Sequence, residues 1–166
     1  MGTTDNLKEA FAGESQANRR YLAFAEKAEQ EGYAQIAKLF RAAADAETIH
    51  AHAHLRAMKG IGNTLDNLQT AIAGESFEYQ KMYPEFLQAA QAEKEQPAVR
   101  SFRNALAVEE THYKLYAQAL ATLKGGKDLP AASIYVCPVC GHTVVGEVPD
   151  TCPVCGTPAD DFAEVK

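Results

Sequence analysis

Two glutamate–histidine pairs in this chain have the spacing of metal ligands. The pairs are Glu47/His50 and Glu109/His112, and each has the form Glu-x-x-His. Residues three apart lie on one face of an α-helix, so each pair presents a carboxylate and an imidazole side by side. Both groups are ligands of transition-metal ions. The spacing therefore indicates metal chemistry in a helical part of the chain.

A repeated tetrapeptide adds one glutamate to each pair. Ala-Gly-Glu-Ser occurs at residues 12–15 and again at 73–76, which places Glu14 and Glu75 at equivalent positions. The second half of the helical region copies the first at an offset of 61 or 62 residues, and the two Glu-x-x-His pairs obey this offset. The sequence therefore predicts two related helical hairpins. Glu78 is an exception, because the first copy has no acidic residue at the equivalent position.

The region from residue 5 to residue 124 is predicted to form four long helices. It is rich in alanine, glutamate, leucine, lysine and glutamine, which are good helix formers. Breaks that contain glycine or proline, at residues 32, 59–63, 96–97 and 125–126, divide it into four segments of about 25 residues. Four long helices with short connections are typical of a four-helix bundle.

Glutamates occupy the middle of the inward-facing stripe of each helix, meaning the heptad positions that should form the core of this bundle. The register that buries Phe11, Phe40, Ile72 and Phe102 also buries glutamates on each helix. A single glutamate is usually solvated, but ionised carboxylates in a core cost several kcal/mol each unless they are paired. These stripes contain no lysine or arginine, so we expect bound cations in the pattern of di-iron or di-manganese carboxylate bundles. The predicted ligands are Glu14, Glu47, His50, Glu75, Glu78, Glu109 and His112.

The spacing of two tyrosines from the repeated glutamates differs by one residue. Tyr21 follows Glu14 by seven residues, whereas Tyr83 follows Glu75 by eight. Each tyrosine either packs in the core or donates a hydrogen bond to a ligating carboxylate. If the two hairpins superpose, the third helix must absorb one additional residue, which helices accommodate as a π-bulge. We therefore predict an i→i+5 hydrogen bond or a bend between Glu75 and Glu85, and none in the first helix.

The four cysteines form two identical knuckles. Cys137-Pro-Val-Cys140-Gly and Cys152-Pro-Val-Cys155-Gly are separated by eleven residues. Four thiolates at this spacing form a tetrahedral metal site, which suits either structural zinc or a single redox iron. His142 is predicted to be a loop residue and not a ligand. A dimetal centre that cycles between two oxidation states needs electrons, and an iron–thiolate site on the same chain would supply them.

The composition of the chain changes after residue 124. Residues 125–133, GGKDLPAAS, have the composition of a linker, and residues 134–166 contain all of the cysteines. A module of that size cannot bury enough apolar surface to fold by itself, so it needs additional stabilisation such as a bound metal ion. The predicted domains are a helical bundle at 1–124, a linker at 125–133 and a four-cysteine module at 134–166.

Charge and hydropathy exclude two classes of partner. The net charge is −6 and no cluster of lysine or arginine is present, which argues against nucleic acid, whose binding depends on cationic contacts to phosphate. No apolar run approaches the roughly 20 residues of a membrane span. The first residues also lack the basic-then-apolar order of a secretory signal, so we expect a cytoplasmic protein.

These motifs together resemble the rubrerythrin family over essentially the full chain. The resemblance rests on the two Ala-Gly-Glu-Ser segments, the two Glu-x-x-His pairs, Glu78 and the two Cys-Pro-Val-Cys-Gly knuckles. It implies a mainly α fold, in which a four-helix ferritin-like bundle precedes a small rubredoxin-like iron–sulfur module. The implied activity is that of a peroxidase, in which a non-haem di-iron centre reduces hydrogen peroxide to water.

The resemblance also implies partners and a division of roles among the ligands. Electrons would come from an external reductase through the rubredoxin-type iron, in a homodimer whose module lies near the other subunit's di-iron site. Glu47 and Glu109 would bridge the irons, with Glu14 and Glu75 terminal and His112 on the second iron.

The same match implies that two ligands take part in the redox cycle. His50 and Glu78 would exchange at the first iron as its oxidation state changes. Together with Tyr21 and Tyr83, which the residue spacing singled out, they are the predicted catalytic residues. The connection between the second and third helices is short, which leaves the pairing of hairpins within the dimer open.

Two other functions remain open from the sequence. One is a ferritin-type ferroxidase that handles iron, and the other is a non-enzymatic protein whose cysteine knuckles hold zinc and dock a partner. A four-thiolate ferric site is red and a zinc site is colourless, so a visible spectrum distinguishes them. Zinc in the cysteine site, and zinc or manganese in the bundle, remain open for the protein as purified.

Overall fold

The computed structural model describes residues 2–166, and most of them are helical. The helices are α1 (Thr3–Gln30), α2 (Ala34–Ala57), α3 (Thr64–Phe77), α4 (Tyr83–Glu93) and α5 (Gln96–Lys124), with a π-helical turn (Glu78–Met82) between α3 and α4. The strands are β1 (Ile134–Val136), β2 (Thr143–Val145) and β3 (Ala163–Glu164). Because the π turn joins α3 to α4 without a break, the four long helical segments are confirmed, and with them the mainly α fold class.

The helix ends follow from local chemistry. Gly32, between α1 and α2, has a φ of +86°, a conformation that only glycine adopts without strain. The side chain of Asn63 accepts a hydrogen bond from the N–H of Asp66 and caps the start of α3. Lys94 ends α4 in the left-handed conformation, and Pro97 lies in the first turn of α5, where its missing N–H costs no helical bond.

The chain divides into two compact units, Met1–Gly62 and Asn63–Lys166. The first unit is the hairpin of α1 and α2, here called the first hairpin. Its buried side chains, among the residues that the structure describes, are all alanines: Ala25, Ala28, Ala37, Ala44 and Ala51. Small residues along this seam let the two helices approach closely, and the larger apolar side chains beside it stay partly exposed.

The second unit contains a second hairpin and the cysteine module. In this second hairpin, α3, the π turn and α4 pack against α5, and Ala90, Val99 and Val108 are buried. The sequence repeat is visible in the packing, because the rings of Phe24 and Phe40 lie 5.6 Å apart in the first hairpin and those of Phe86 and Phe102 lie 5.6 Å apart in the second.

The cysteine module (residues 134–166) is built on a small antiparallel sheet in the order β2-β1-β3. Val136 pairs with Thr143 on one side and with Ala163 on the other. Strand β2 contacts α5, and a Cβ added at Gly141 would lie 3.8 Å from Cγ1 of Val108. The module therefore packs on the second hairpin of its own chain.

The compact units do not coincide with the predicted domains. The division falls after Gly62, and the cysteine module shares a unit with the second hairpin. The boundaries 1–124, 125–133 and 134–166 stay a prediction. In the described part of the chain, no helix combines the length and hydropathy that a membrane span requires.

Candidate metal centres

The first hairpin brings together three of the predicted ligands. One ligand atom each from Glu14 on α1 and from Glu47 and His50 on α2 lies within 4.8 Å of the others. Nδ1 of His50 is 3.0 Å from Oε2 of Glu47, as the spacing of three residues on a helix predicts. The Glu47 side chain is 18% exposed, whereas that of His50 is 55% exposed. This cluster is therefore an open set of three residues that could hold a metal ion.

The second hairpin repeats this cluster. Glu75 on α3 and Glu109 and His112 on α5 offer ligand atoms that lie within 4.8 Å of one another. Nδ1 of His112 is 2.9 Å from Oε2 of Glu109 and 3.9 Å from Oε1 of Glu75. All three side chains are partly buried, so this cluster is more enclosed than the first.

The carboxylates of the second cluster favour a bound cation. Burial, the charge of Glu109 and a hydrogen bond to Glu109 together raise the pKa of Glu75 to about 7. Two close carboxylates repel each other when both are ionised, and a bound cation relieves this repulsion. The donor set of carboxylates and an imidazole suits iron or manganese. The residues present therefore fit the metal centre that the sequence predicted.

Glu78 lies beside the second cluster but outside it. It is the first residue of the π turn, where the N–H of Tyr83 donates to the C=O of Glu78, five residues earlier. Burial and the charge of Glu109 raise the pKa of Glu78, and the charge of His112 lowers it, so the carboxylate faces this cluster. The predicted i→i+5 hydrogen bond between Glu75 and Glu85 is thus confirmed. Helix α1 runs without interruption from Thr3 to Gln30, which confirms the other half of that prediction.

The two tyrosines occupy equivalent places in the two hairpins. The ring of Tyr21 packs near Phe24 and Phe40, each at a centroid distance of 6.3 Å, which agrees with the core-packing alternative. The nearby carboxylates also affect the Tyr83 hydroxyl, because burial and then the charge of Glu78 raise the pKa of Tyr83. A supporting role toward the carboxylates stays a prediction for both tyrosines.

The four cysteine sulfurs come together as predicted. Sγ of Cys137 is 3.6 Å from Sγ of Cys155, and Sγ of Cys140 is 3.5 Å from Sγ of Cys152. Sulfurs at about 2.3 Å from one tetrahedral metal ion lie about 3.8 Å apart, so these distances match a metal-binding set. The cluster consists of these four residues without His142, which agrees with its predicted place in a loop.

Backbone groups of the knuckles stabilise thiolates. Burial raises the pKa of Cys137, but hydrogen bonds from the backbone of Cys140 and Val139 and from the side chains of Thr157 and Cys155 together outweigh burial and hold that pKa at about 6. Burial raises the pKa of Cys155 too, and the side chain and backbone of Thr157 outweigh it. Burial also raises the pKa of Cys140, so the set retains a proton that a metal ion would displace.

A hydrogen bond that the sequence did not predict links the module to the second cluster. Nε2 of His112 is 2.9 Å from Oγ1 of Thr143 on β2. Beside it, Nδ1 of His142 is buried and has no hydrogen-bond partner among the described residues, and burial lowers the pKa of this histidine. Thr143 carries no sequence signal, because only the packing of β2 against α5 makes it a neighbour of His112.

Within its own chain, the module places Thr143 next to His112. The homodimer, and a module that lies near the di-iron site of the other subunit, stay predictions.

Two family models match this chain. The model described as "Rubrerythrin" matches residues 5–120, and the model described as "Rubrerythrin, rubredoxin-like domain" matches residues 135–163. The first match spans the helices that carry both glutamate–histidine clusters, and the second spans the four cysteines.

Curated proteins and solved structures agree with these matches. Rubrerythrin-2 of Clostridium acetobutylicum is 40% identical, with 96% of this chain and 95% of that protein covered. Nigerythrin of Nitratidesulfovibrio vulgaris is 34% identical, with 96% and 85% covered. A structure of nigerythrin described as fully reduced and all ferrous is 33% identical with a TM-score of 0.60, covering 99% of this chain and 88% of that chain.

Proposed function

This chain belongs to the rubrerythrin family, and from that premise we propose that it is a non-haem di-iron peroxidase that reduces hydrogen peroxide to water. An external reductase supplies the electrons, which pass through the iron of the cysteine module. The cofactors are an iron pair in the carboxylate–histidine site and one iron bound by four cysteines. A cytoplasmic location and a homodimer are part of the same proposal.

Seven side chains would hold the iron pair. The two clusters supply three ligands each, and Glu78 supplies the seventh. When bound, the iron pair supplies the two electrons that cleave the O–O bond of peroxide. The site residues are Glu14, Glu47, His50, Glu75, Glu78, Glu109 and His112.

The protein side chains determine the charge of this site and which of its ligands can move. The five carboxylates would offset the charge of two metal ions, and Glu47 and Glu109, each hydrogen-bonded to the histidine of its own pair, would hold these ions together with the other predicted ligands. Glu78 begins a π turn, where the backbone ladder is irregular, and His50 is the most exposed of the histidine ligands. We propose that these two move as the oxidation state of the site changes.

The contact between Thr143 and His112 carries the relay part of the proposal. It places a residue of the cysteine module, three positions after Cys140, at 2.9 Å from a predicted ligand of the iron pair. Thr143 also donates to the C=O of Gly141, next to Cys140. Hydrogen bonds and a few covalent bonds therefore connect the sulfur site with the carboxylate site, over a short path for an electron.

Structures of a related protein support redox use of the irons. Nigerythrin has been described in a mixed-valence state and in an all-ferrous state, so the iron atoms of that protein change oxidation state. For this chain the activity is tested by reducing the iron-loaded protein without oxygen and adding one equivalent of hydrogen peroxide. We expect each peroxide consumed to oxidise two of the three ferrous ions per chain rapidly, followed optically and by metal analysis.

A ferroxidase would behave differently in this experiment. It would turn over faster with dioxygen than with peroxide, and would accumulate ferric iron beyond three ions per chain. That outcome, or a colourless protein with zinc in the cysteine site after iron loading, contradicts the proposed peroxidase.

A further inference from the structure

A cavity on the first hairpin lies apart from the metal clusters. It has a volume of about 220 Å³ and follows the groove between α1 and α2. Two of its lining residues, Ser15 and Thr48, directly follow the predicted ligands Glu14 and Glu47. Consecutive residues on a helix point about 100° apart, so the cavity lies on a flank of the hairpin and not on the face that carries the ligands. Its other lining residues are Phe11, Asn18, Arg19, Ala51, His52 and Leu55.

Hydrogen bonds within the hairpin fix the polar groups at the bottom of this cavity. The amide of Asn18 donates to the C=O of Ala44 at 2.7 Å and to Oγ1 of Thr48 at 2.8 Å. The hydroxyl of Ser15 donates to the C=O of Phe11 at 2.6 Å, and that of Thr48 donates to the C=O of Ala44. Because these donors are occupied within the protein, a ligand would have to be recognised by other groups.

Two side chains with nitrogen donors, Arg19 and His52, remain for such recognition. Neither makes a hydrogen bond or an ion pair with any residue that the structure describes. No residue one turn before or after either of them on its helix is acidic. The guanidinium of Arg19 is always charged and presents a fork of donors that matches a carboxylate. The cavity therefore offers positive charge that no protein carboxylate pairs with.

The second hairpin shows the same groove in a filled form. At the repeat offset of 62 residues, Ala51 corresponds to Tyr113, and at the offset of 61 Asn18 corresponds to Tyr79. The rings of Tyr79 and Tyr113 pack with their centroids 5.2 Å apart. Aromatic rings thus occupy the groove of the second hairpin, whereas alanine and asparagine leave the groove of the first hairpin open.

The charges along the two grooves differ in the same way. At the offset of 62 residues, His52 corresponds to Lys114 and Thr48 corresponds to Glu110. Nζ of Lys114 is 2.7 Å from Oε1 of Glu110, so the second groove contains its own carboxylate. Thr48 supplies none in the first groove. A ligand that completes the first groove in the way that the second is completed must carry both an aromatic ring and an anionic group.

We propose that this cavity binds a small aromatic carboxylate. The ring lies against Phe11, Ala51 and Leu55, where burial of its apolar surface stabilises the complex. Arg19 pairs with the carboxylate in bidentate geometry, with His52 beside it. The ligand is small, because the cavity lies below the roughly 300–1,000 Å³ of sites for drug-sized molecules. None of these residues is a predicted metal ligand, so the site is separate from the proposed peroxidase activity.

Binding of sodium benzoate to the full-length, iron-loaded protein tests this site. Equilibrium dialysis at fixed ionic strength measures the amount of benzoate bound per chain, and we expect saturable binding of one molecule. Benzamide keeps the ring without the charge, and acetate keeps the carboxylate without the ring. Each should therefore bind at least roughly tenfold more weakly than benzoate.

Substitutions on the flank of the first hairpin locate the bound benzoate. Arg19→Gln removes the charge and should lower the affinity by roughly tenfold or more. Arg20→Gln is the matched control, because Arg20 is exposed, bonds to Gln16 and does not line the cavity, and it should keep the wild-type affinity. Thr48→Glu introduces the carboxylate that the second groove contains, and it should weaken binding by repulsion and by competition for the cationic groups.

Three outcomes would overturn the proposed site. Equal affinities of Arg19→Gln and Arg20→Gln would place the benzoate elsewhere, for example on the iron pair. Benzamide that binds as tightly as benzoate would show that the charge is not recognised. Displacement of benzoate by an equal concentration of acetate or phosphate would show a site for bare anions only. Failure of the proposed peroxidase is a separate result, since dialysis does not depend on turnover.

Discussion

The two hairpins of this protein start from the same sequence pattern and differ at three places near their ligands. Helix α1 is regular, whereas its counterpart contains the π turn at Glu78–Met82. The first hairpin has no acidic residue equivalent to Glu78. His50 is 55% exposed on its side chain, whereas His112 is 27% exposed and bonds to Thr143.

These differences indicate that the two copies of the repeat have different roles in the predicted site. The first hairpin contains three predicted ligands on regular helices. The second contains the three equivalent side chains, a third carboxylate (Glu78) on an irregular turn, and the contact with the cysteine module. Changes on the second hairpin side should therefore affect redox turnover more than equivalent changes on the first.

The largest expected effect concerns the cysteine module, which packs on the second hairpin. Cys152→Ser removes one of four thiolates, so the red colour of the ferric site should disappear and turnover with an external donor should fall to background. Protein reduced chemically should still consume one equivalent of peroxide, because the carboxylate site is unchanged. Absorbance and single-turnover measurements on the same sample check both points. Full donor-dependent turnover in this variant would contradict the relay.

Glu78→Ala makes the second hairpin resemble the first at this position. Two metal ions should still bind, because six ligands remain, but turnover should fall by roughly 10–100-fold, the range seen when groups that tune a metal site are removed. Metal content and steady-state rate are the measurements. Glu85→Ala, an exposed glutamate on the same helical segment, is the control and should keep the wild-type rate. An unchanged rate in Glu78→Ala would exclude this carboxylate from the redox cycle.

A smaller effect is expected at the contact between the module and His112. Thr143→Val removes the hydrogen bond to Nε2 of His112, which at about 0.5–1.5 kcal/mol corresponds to a loss of up to roughly tenfold. The loss should appear in donor-dependent turnover and not in single turnover of chemically reduced protein. Thr111→Val is the matched control, since Thr111 bonds only within its helix, to the C=O of Ala107. Equal effects of the two substitutions would contradict the role of Thr143.

The smallest expected effect is on the stability of the metal-free protein. The pKa of Glu75 is raised from 4.5 to about 7 in the folded state, so the folded state binds more protons than the unfolded state between these values. Stability of the metal-free protein should therefore fall as the pH rises from about 4.5 to 7, and then level off. Thermal unfolding at several pH values should show this slope, and Glu75→Gln should flatten it. A slope of the same size in Glu75→Gln would show that other groups cause it.

Much of the candidate site was accessible from sequence because it depends on local periodicity. A spacing of three residues on a helix fixes the contact of Glu47 with His50 and of Glu109 with His112. The knuckle spacing likewise brings the four cysteines together, with Gly141 and Gly156 at the positive φ values that the turns require. The one-residue mismatch between the repeats predicted the π turn, because an extra residue must be absorbed locally if the two hairpins keep the same ligands.

The sequence by itself determined the four helical segments, the ligand types and the family, since these depend on composition, spacing and turn residues within short stretches. The tertiary structure alone decided that the chain divides after Gly62, that β2 packs on α5, and that Thr143 meets His112. The physical reason is that such contacts join residues far apart in the chain, 31 positions in the case of Thr143 and His112. Their energies arise from packed surfaces and have no periodic signature along the sequence.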